Sequence, residues 1–372
     1  MLYANARVFT PYGWMRGGFR VEGGRFTEIL PGLDSGDVDL DGAKVIPGLV
    51  DIHTHGAVGA DFSDGNLHGL TRMAEYLAGN GVTSFVPTSM TLPYETLSAA
   101  FQTARRLRDE RPANCARALG IHMEGPFFSE EKKGAQNGDY LRAPDYEAFA
   151  VLNEQCGSLI RLVDLAPELP GAVDFTERAC RLCKVSVAHT DAAYEEAAAV
   201  FDAGASHLTH LFNAMPPIHH RRPGVIGAAS EREHVTAELI CDGLHVHPSA
   251  VRMAFRLFPG RICLISDSLR CCGMPDGEYE LGGQPVFLKD GVARLADGTI
   301  AGAASNLYED MRSAISFGIP KEEAIRAATI LPAREAGVDM EIGSIEAGKL
   351  ADFAVCAEDL TLRQVYIGGK RI

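Results

Sequence analysis

Eight short apolar runs recur through the middle of the chain, and helical patterns separate them. The runs are Ile46–Ile52, Val82–Pro87, Ala118–Met123, Ile160–Ala166, Val185–Ala188, His207–Leu211, Ala237–Cys241 and Ile262–Ser266. Continuous apolar runs of this length suit strands buried on both faces of a parallel sheet. Helix candidates between them include Leu67–Gly79, Tyr94–Arg108, Asp145–Gln155, Asp174–Cys183, Ala192–Ala203 and Pro248–Phe258. Eight such strand–helix units predict an α/β fold, a TIM-type (β/α)8 barrel, whose usual size of about 250 residues fits this span.

The two ends read differently. "ANARVFT", "GGFRVEGGRFTEIL" and "GAKVI" near the start are β-rich and punctuated by glycine, and so are "GSIEAGKLADFAVCAEDL" and "LRQVYIGGKRI" near the finish. The expectation is a small β-sandwich domain built from residues 1–46 and 338–372, with the barrel at 47–337 and a β-rich insertion near 269–300.

With 372 residues and 46% hydrophobic content, the chain can bury a sizeable core. A formal net charge of −14 argues against nucleic acid and anionic membranes as partners. No leader pattern and no membrane-length apolar run stand out. Nine cysteines, an odd number scattered through a large chain, suit a reducing cytoplasm better than a disulfide framework. Cys180 and Cys183 form a C-x-x-C with no second pair nearby and read as ordinary buried thiols.

Barrel chemistry gathers where strands end. Here those ends carry His53 and His55 in "DIHTHG", Glu124 in "HMEGPFF", His189 in "VAHTD", His210 in "LTHLFNAM", His245 in "CDGLHVHP" and Asp267 in "LISDS". Side chains two apart on a strand share a face, roughly 6.6 Å apart along it. His53 and His55 can therefore converge on one divalent ion. Imidazole with carboxylate suits zinc and other first-row metals. His68, His207 and His234 read as ordinary polar residues, His207 facing away from His210 because the spacing is odd. His122 is a candidate supporting residue.

Asp267 suits a general base that takes a proton from a metal-activated water and returns it to a leaving group. His245 suits a donor to a developing oxyanion. The segment "PPIHHRRPG" is the one cationic cluster expected near the mouth, and Arg221 and Arg222 there suggest an anionic substrate group.

Together, "VIPGLVDIHTHG", "GIHMEGPFF", "KKGAQN", "AHTDA", "THLFNAMPP", "CDGLHVHP", "ISDS" and "GSIEAGKLADFAV" resemble the N-acetylglucosamine-6-phosphate deacetylases of the amidohydrolase superfamily. The resemblance implies that Glu124, His189 and His210 hold the main metal and that His53 and His55 hold a second where one is present. It implies zinc first, with iron, cobalt, manganese or nickel as alternatives. It places substrate contacts at Ala135, Gln136, Asn213, Ala214, Arg221, His245 and Ala301, Gly302 and Ala303, with Arg221 on the phosphate. It also implies a homodimer, with the phosphate pocket completed across the interface. The implied reaction is removal of acetate from N-acetylglucosamine 6-phosphate. N-acetylgalactosamine 6-phosphate or another N-acyl compound is the alternative substrate, and a non-enzymatic scaffold is the remaining reading. Gln136 stands where some members have histidine, and Asp267 lies in "SDS" rather than "TDA". Strand four, "LIRLVDLAPE", has no lysine to bridge two metals, which leaves that role to Glu124.

Overall fold

The computed structural model describes the chain from Met1 to Ile372. Its centre is a barrel of eight parallel strands: β1 Leu49–Thr54, β2 Val82–Ser89, β3 Ile121–Phe127, β4 Ile160–Leu165, β5 Lys184–Val187, β6 His207–Leu208, β7 Thr236–Ile240 and β8 Ile262–Ile265. They pair in chain order from β1 to β8. Each of the eight expected runs contributes one of them. β2 is buried at every position, because helices cover its outer face and the other strands its inner face.

The seam between β8 and β1 carries no continuous ladder. It closes at the mouth, where the Asp267 N–H donates to the His53 carbonyl and the His55 N–H donates to the Ser268 carbonyl, both at 2.9 Å. Below these, the Ser266 hydroxyl donates to Asp51 Oδ2 at 2.6 Å.

The helix Leu67–Gly79 has the expected bounds. Asn66 caps it by accepting from the His68 and Gly69 N–H groups, and Leu70, Met73, Ala74 and Leu77 form its buried stripe. The helix expected at Asp174–Cys183 runs instead over Ala172–Ala179. The chain turns at Cys180–Cys183 to enter β5, which leaves Cys180 exposed rather than buried and Cys183 partly so. Four helices were not anticipated: Gly224–Ser230, Leu307–Ser316, Lys321–Ala327 and Ile330–Glu335.

The two chain ends share one sheet. Phe353–Cys356 lies antiparallel to Lys44–Pro47, with Val355 opposite Val45. Tyr3, Phe19, Phe26, Phe353 and Tyr366 form its aromatic centre, the Phe19 ring standing 5.1 Å from Tyr3 and 5.0 Å from Phe353. The helix Ile330–Glu335 stands under the barrel, where Ala333 packs with Val50, Ile52, Val86, Ile240 and Ile265. After β8, Gly277–Leu281, Gln284–Lys289, Val292–Leu295 and Ile300–Ala303 form a four-stranded antiparallel sheet beside the mouth. No helix is long and apolar enough to cross a membrane.

Candidate metal centre and active site

His189, His210 and Asp267 each stand two residues beyond the last residue of their strand. All three adopt left-handed backbone, at φ 44°, 29° and 50°. Such conformations cost a non-glycine residue about 1–3 kcal/mol each and persist where the surroundings enforce them. Glu124 projects from within β3 and is 2% exposed.

These side chains meet. Glu124 Oε1 lies 3.1 Å from His189 Nε2 and 3.2 Å from His210 Nε2. The two Nε2 atoms are 3.1 Å apart. The Nδ1 of His189 faces the Lys132 carbonyl at 2.9 Å, and that of His210 faces the Asn213 carbonyl at 3.1 Å. A carbonyl accepts only, so each Nδ1 carries a proton, and each Nε2 is the nitrogen whose lone pair the neutral ring can offer to a cation. Two lone pairs and a carboxylate oxygen converging at this range form a ligand set for a cation.

The other two histidines extend the cluster. His55 Nδ1 faces the Thr88 carbonyl at 3.1 Å, and its Nε2 lies 3.2 Å from Asp267 Oδ1 and 3.4 Å from Glu124 Oε2. His53 Nε2 is 3.6 Å from Glu124 Oε1 and 3.5 Å from Asp267 Oδ1. It is buried with no hydrogen-bond partner. An orphaned ring nitrogen between two carboxylates fits a ligand position, so the donor set suits one or two divalent ions.

Electrostatics agree. Burial pushes the Glu124 carboxyl up, but His53, His189 and His210 outweigh it and hold the group well below the usual range. Burial likewise opposes ionisation of Asp267, and His55 and His53 override it to lower its pKa. Burial pulls His210 down while Glu124 raises it, to about 9. The cluster is thus an anionic socket that attracts positive charge.

A cavity of about 410 Å³ opens above these groups. Ala135, Gln136, Asn213, Ala214, His245, Ala301 and Gly302 line it, together with His55, Glu124, His189, His210 and Asp267. His53 lies beneath its floor, fully buried. Ala303 does not line the cavity: it is 1% exposed, and its N–H donates to the Asp267 carbonyl at 2.9 Å. Arg221 does not line it either. It is exposed, on the loop that precedes the helix Gly224–Ser230, and its side chain meets solvent in the single chain. His245 is oriented by Asp242, whose Oδ2 is 2.6 Å from Nδ1. The Gln136 amide donates to Glu124 Oε2 at 2.7 Å while its oxygen accepts from the Thr91 N–H at 2.7 Å.

The sequence reading missed Glu238, Asp164, Asp242 and Glu335. Glu238 sits in "TAELI" on β7, and its signal was a charged residue inside an apolar strand. His122 turns out to bond Asp164 at 2.8 Å and the Ile52 carbonyl at 3.0 Å.

The match to a known family decides the lineage: residues 44–372 fit the amidohydrolase family. The chain belongs to the amidohydrolase family. This amidohydrolase is 35% identical over 354 residues to the N-acetylglucosamine-6-phosphate deacetylase of Vibrio furnissii, covering 94% of this chain and 86% of the relative. It is 34% identical to the N-acetylgalactosamine-6-phosphate deacetylase of Escherichia coli O157:H7, covering 98% and 97%. Among solved structures it resembles a mutant N-acetyl-D-glucosamine-6-phosphate deacetylase from Mycobacterium smegmatis in complex with N-acetyl-D-glucosamine-6-phosphate. That likeness has a TM-score of 0.94 and 32% identity and covers 100% of this chain and 98% of that one.

Proposed function

We propose that this amidohydrolase cleaves the acetamide of N-acetyl-D-glucosamine 6-phosphate, giving D-glucosamine 6-phosphate and acetate. The observation that carries the reading is the convergence of Glu124, His189 and His210 within 3.2 Å, under a cavity that Asp267 and His245 also line. The likeness to deacetylases of phosphorylated amino sugars supports the substrate class.

Glu124, His189 and His210 would hold the main ion, zinc being the first candidate, and His53 with His55 a second. Such an ion polarises an acyl oxygen and makes water acidic enough to attack near neutral pH. Asp267 accepts the proton of the attacking water and later delivers it to the departing amine, so the C–N bond breaks and a neutral amine leaves. His245, whose Nδ1–H is held by Asp242, donates from Nε2, when the ring carries both protons, to the oxygen that gathers negative charge. Gln136 holds Glu124 by its outer oxygen.

Arg221, exposed in the single chain, is proposed to meet the phosphate of a substrate bound in the neighbouring subunit of a homodimer. Nine free cysteines support a reducing compartment, the cytoplasm.

A second reading, the N-acetylgalactosamine 6-phosphate epimer, is favoured by the relative that matches 98% of the chain. An acetate-release assay on both phosphorylated epimers and on free N-acetylglucosamine tests both. The expected result is highest kcat/KM on the phosphorylated gluco epimer, with Arg221→Ala raising KM and leaving kcat near normal. Preference for the galacto epimer or for the free sugar overturns the assignment.

A further inference from the structure

A chain of charged side chains runs through the barrel interior, and the roles above use only its last member, His53. It starts at Lys184, at the opening of β5, whose side chain is 34% exposed and whose Nζ lies 2.9 Å from Glu335 Oε2. Glu335 ends the helix that plugs the barrel floor. The same oxygen is 3.0 Å from His207 Nδ1. His207 Nε2 is 3.1 Å from Glu238 Oε1. Glu238 Oε2 then lies 2.9 Å from His53 Nδ1 and accepts from the His210 backbone N–H at 3.2 Å. His207, Glu238 and His53 are fully buried, and Glu335 nearly so.

Hydrogen-bond chemistry fixes the protons along this chain. His207 faces a carboxylate at each ring nitrogen, and an ionised carboxylate only accepts. Only the doubly protonated ring satisfies both partners. Lys184 and His207 then balance Glu335 and Glu238, which allows Glu238 to stay ionised in a dry interior. An ionised Glu238 needs a donor at its other oxygen, so His53 carries its proton on Nδ1. The Nε2 lone pair is thereby aimed between Glu124 and Asp267, the tautomer an ion ligand requires. Burial pulls the His207 ring down, yet Glu238 and Glu335 outweigh it and raise it to about 9.

We propose that His207, protonated on both ring nitrogens between Glu335 and Glu238, is a structural cation and that the three position His53 for ion binding. This inference rests on the cation site proposed above. The three are positioning residues, since none of them lines the cavity. Through Glu335, the helix that leads toward the C-terminal strands holds a ligand on the far side of the barrel.

Two measurements on the full chain test it. The first is zinc uptake in competition with a coloured chelator, comparing wild type, Glu335→Gln, His53→Gln and the double variant. Glu335→Gln is expected to weaken one ion about tenfold, in line with the effect of removing the partner behind a metal-bound histidine. That loss should vanish when His53→Gln is already present. An equal loss in both backgrounds, or none in the intact one, overturns the proposal. Wild type that takes up no zinc overturns the cation site and the positioning role together. The second is the nitrogen resonance spectrum of the His207 ring, which needs no change to Glu335 and so decides even if that variant fails to fold. Both ring nitrogens are expected to be protonated at pH 8, where an ordinary histidine is neutral. A neutral His207 ring overturns the proposal.

Discussion

The Nε2 atoms of His189 and His210 lie 3.1 Å apart, and each ring gives its other nitrogen to a backbone carbonyl. With Glu124 Oε1 within 3.2 Å of both, the two nitrogens form a socket that a bound cation stabilises.

Chelation is therefore expected to lower the melting temperature as well as abolish activity. A ligand at a thousand times its dissociation constant stabilises the folded state by about 4 kcal/mol. Calorimetry with and without a chelator checks this, and an unchanged melting temperature would count against the ligand set.

Asp267→Asn removes the proton acceptor while leaving the Glu124, His189 and His210 donors in place. Turnover should fall at least about 100-fold with metal content nearly unchanged. Steady-state rates and metal analysis of the same sample separate the two effects. Near-normal turnover would defeat the proposed role of Asp267.

Gln136→Ala strips a 2.7 Å donor from Glu124 and leaves the Thr91 N–H without its acceptor. The cost of an unsatisfied buried group is about 1–3 kcal/mol. Urea unfolding should show a loss of this size.

The His207 ring links stability to pH. Its folded pKa, raised to about 9 by Glu238 and Glu335 against the pull of burial, exceeds the ordinary value of 6.5. A raised pKa means the folded state binds the proton more tightly. The stabilisation is complete below pH 6.5 and drains away as pH rises through 9. His207→Gln should flatten this alkaline decline in the ion-loaded protein, as followed by denaturant midpoints from pH 6 to 10. An equally steep decline in the variant would place its origin elsewhere.

The strands were legible because burial on both faces writes a continuous apolar run, as in Val82–Pro87. The residues at the strand ends were legible because histidines and carboxylates there interrupt those runs at consistent places. Glu238 and Asp164 lie inside their strands rather than at the ends, so their only trace was a lone acid in an apolar run, and their partners, His53 and His207 or His122, come from other strands. His207 was read as an ordinary polar residue facing away from His210, but the strand ends at Leu208, His207 meets Glu238 in the barrel interior, and nothing in its neighbourhood pointed to Glu335, 128 positions later. The helix Leu307–Ser316 did carry a signal, the Asn306 and Glu309 capping box, hidden behind a glycine-rich stretch that reads as strand and turn. Arg221 shows the converse limit: its charge and the family resemblance marked it, while the fold leaves it in solvent in the single chain.

Where β8 meets β1, the barrel is fastened at its rim, and the residue that ties the knot is also the proposed proton carrier: the Asp267 amide holds the His53 carbonyl. Gentle warming that springs this clasp would misalign Asp267 while the other seven strand pairings hold. Heat inactivation should thus run ahead of melting, and a stitch across that junction would preserve working lifetime more than it raises the unfolding temperature.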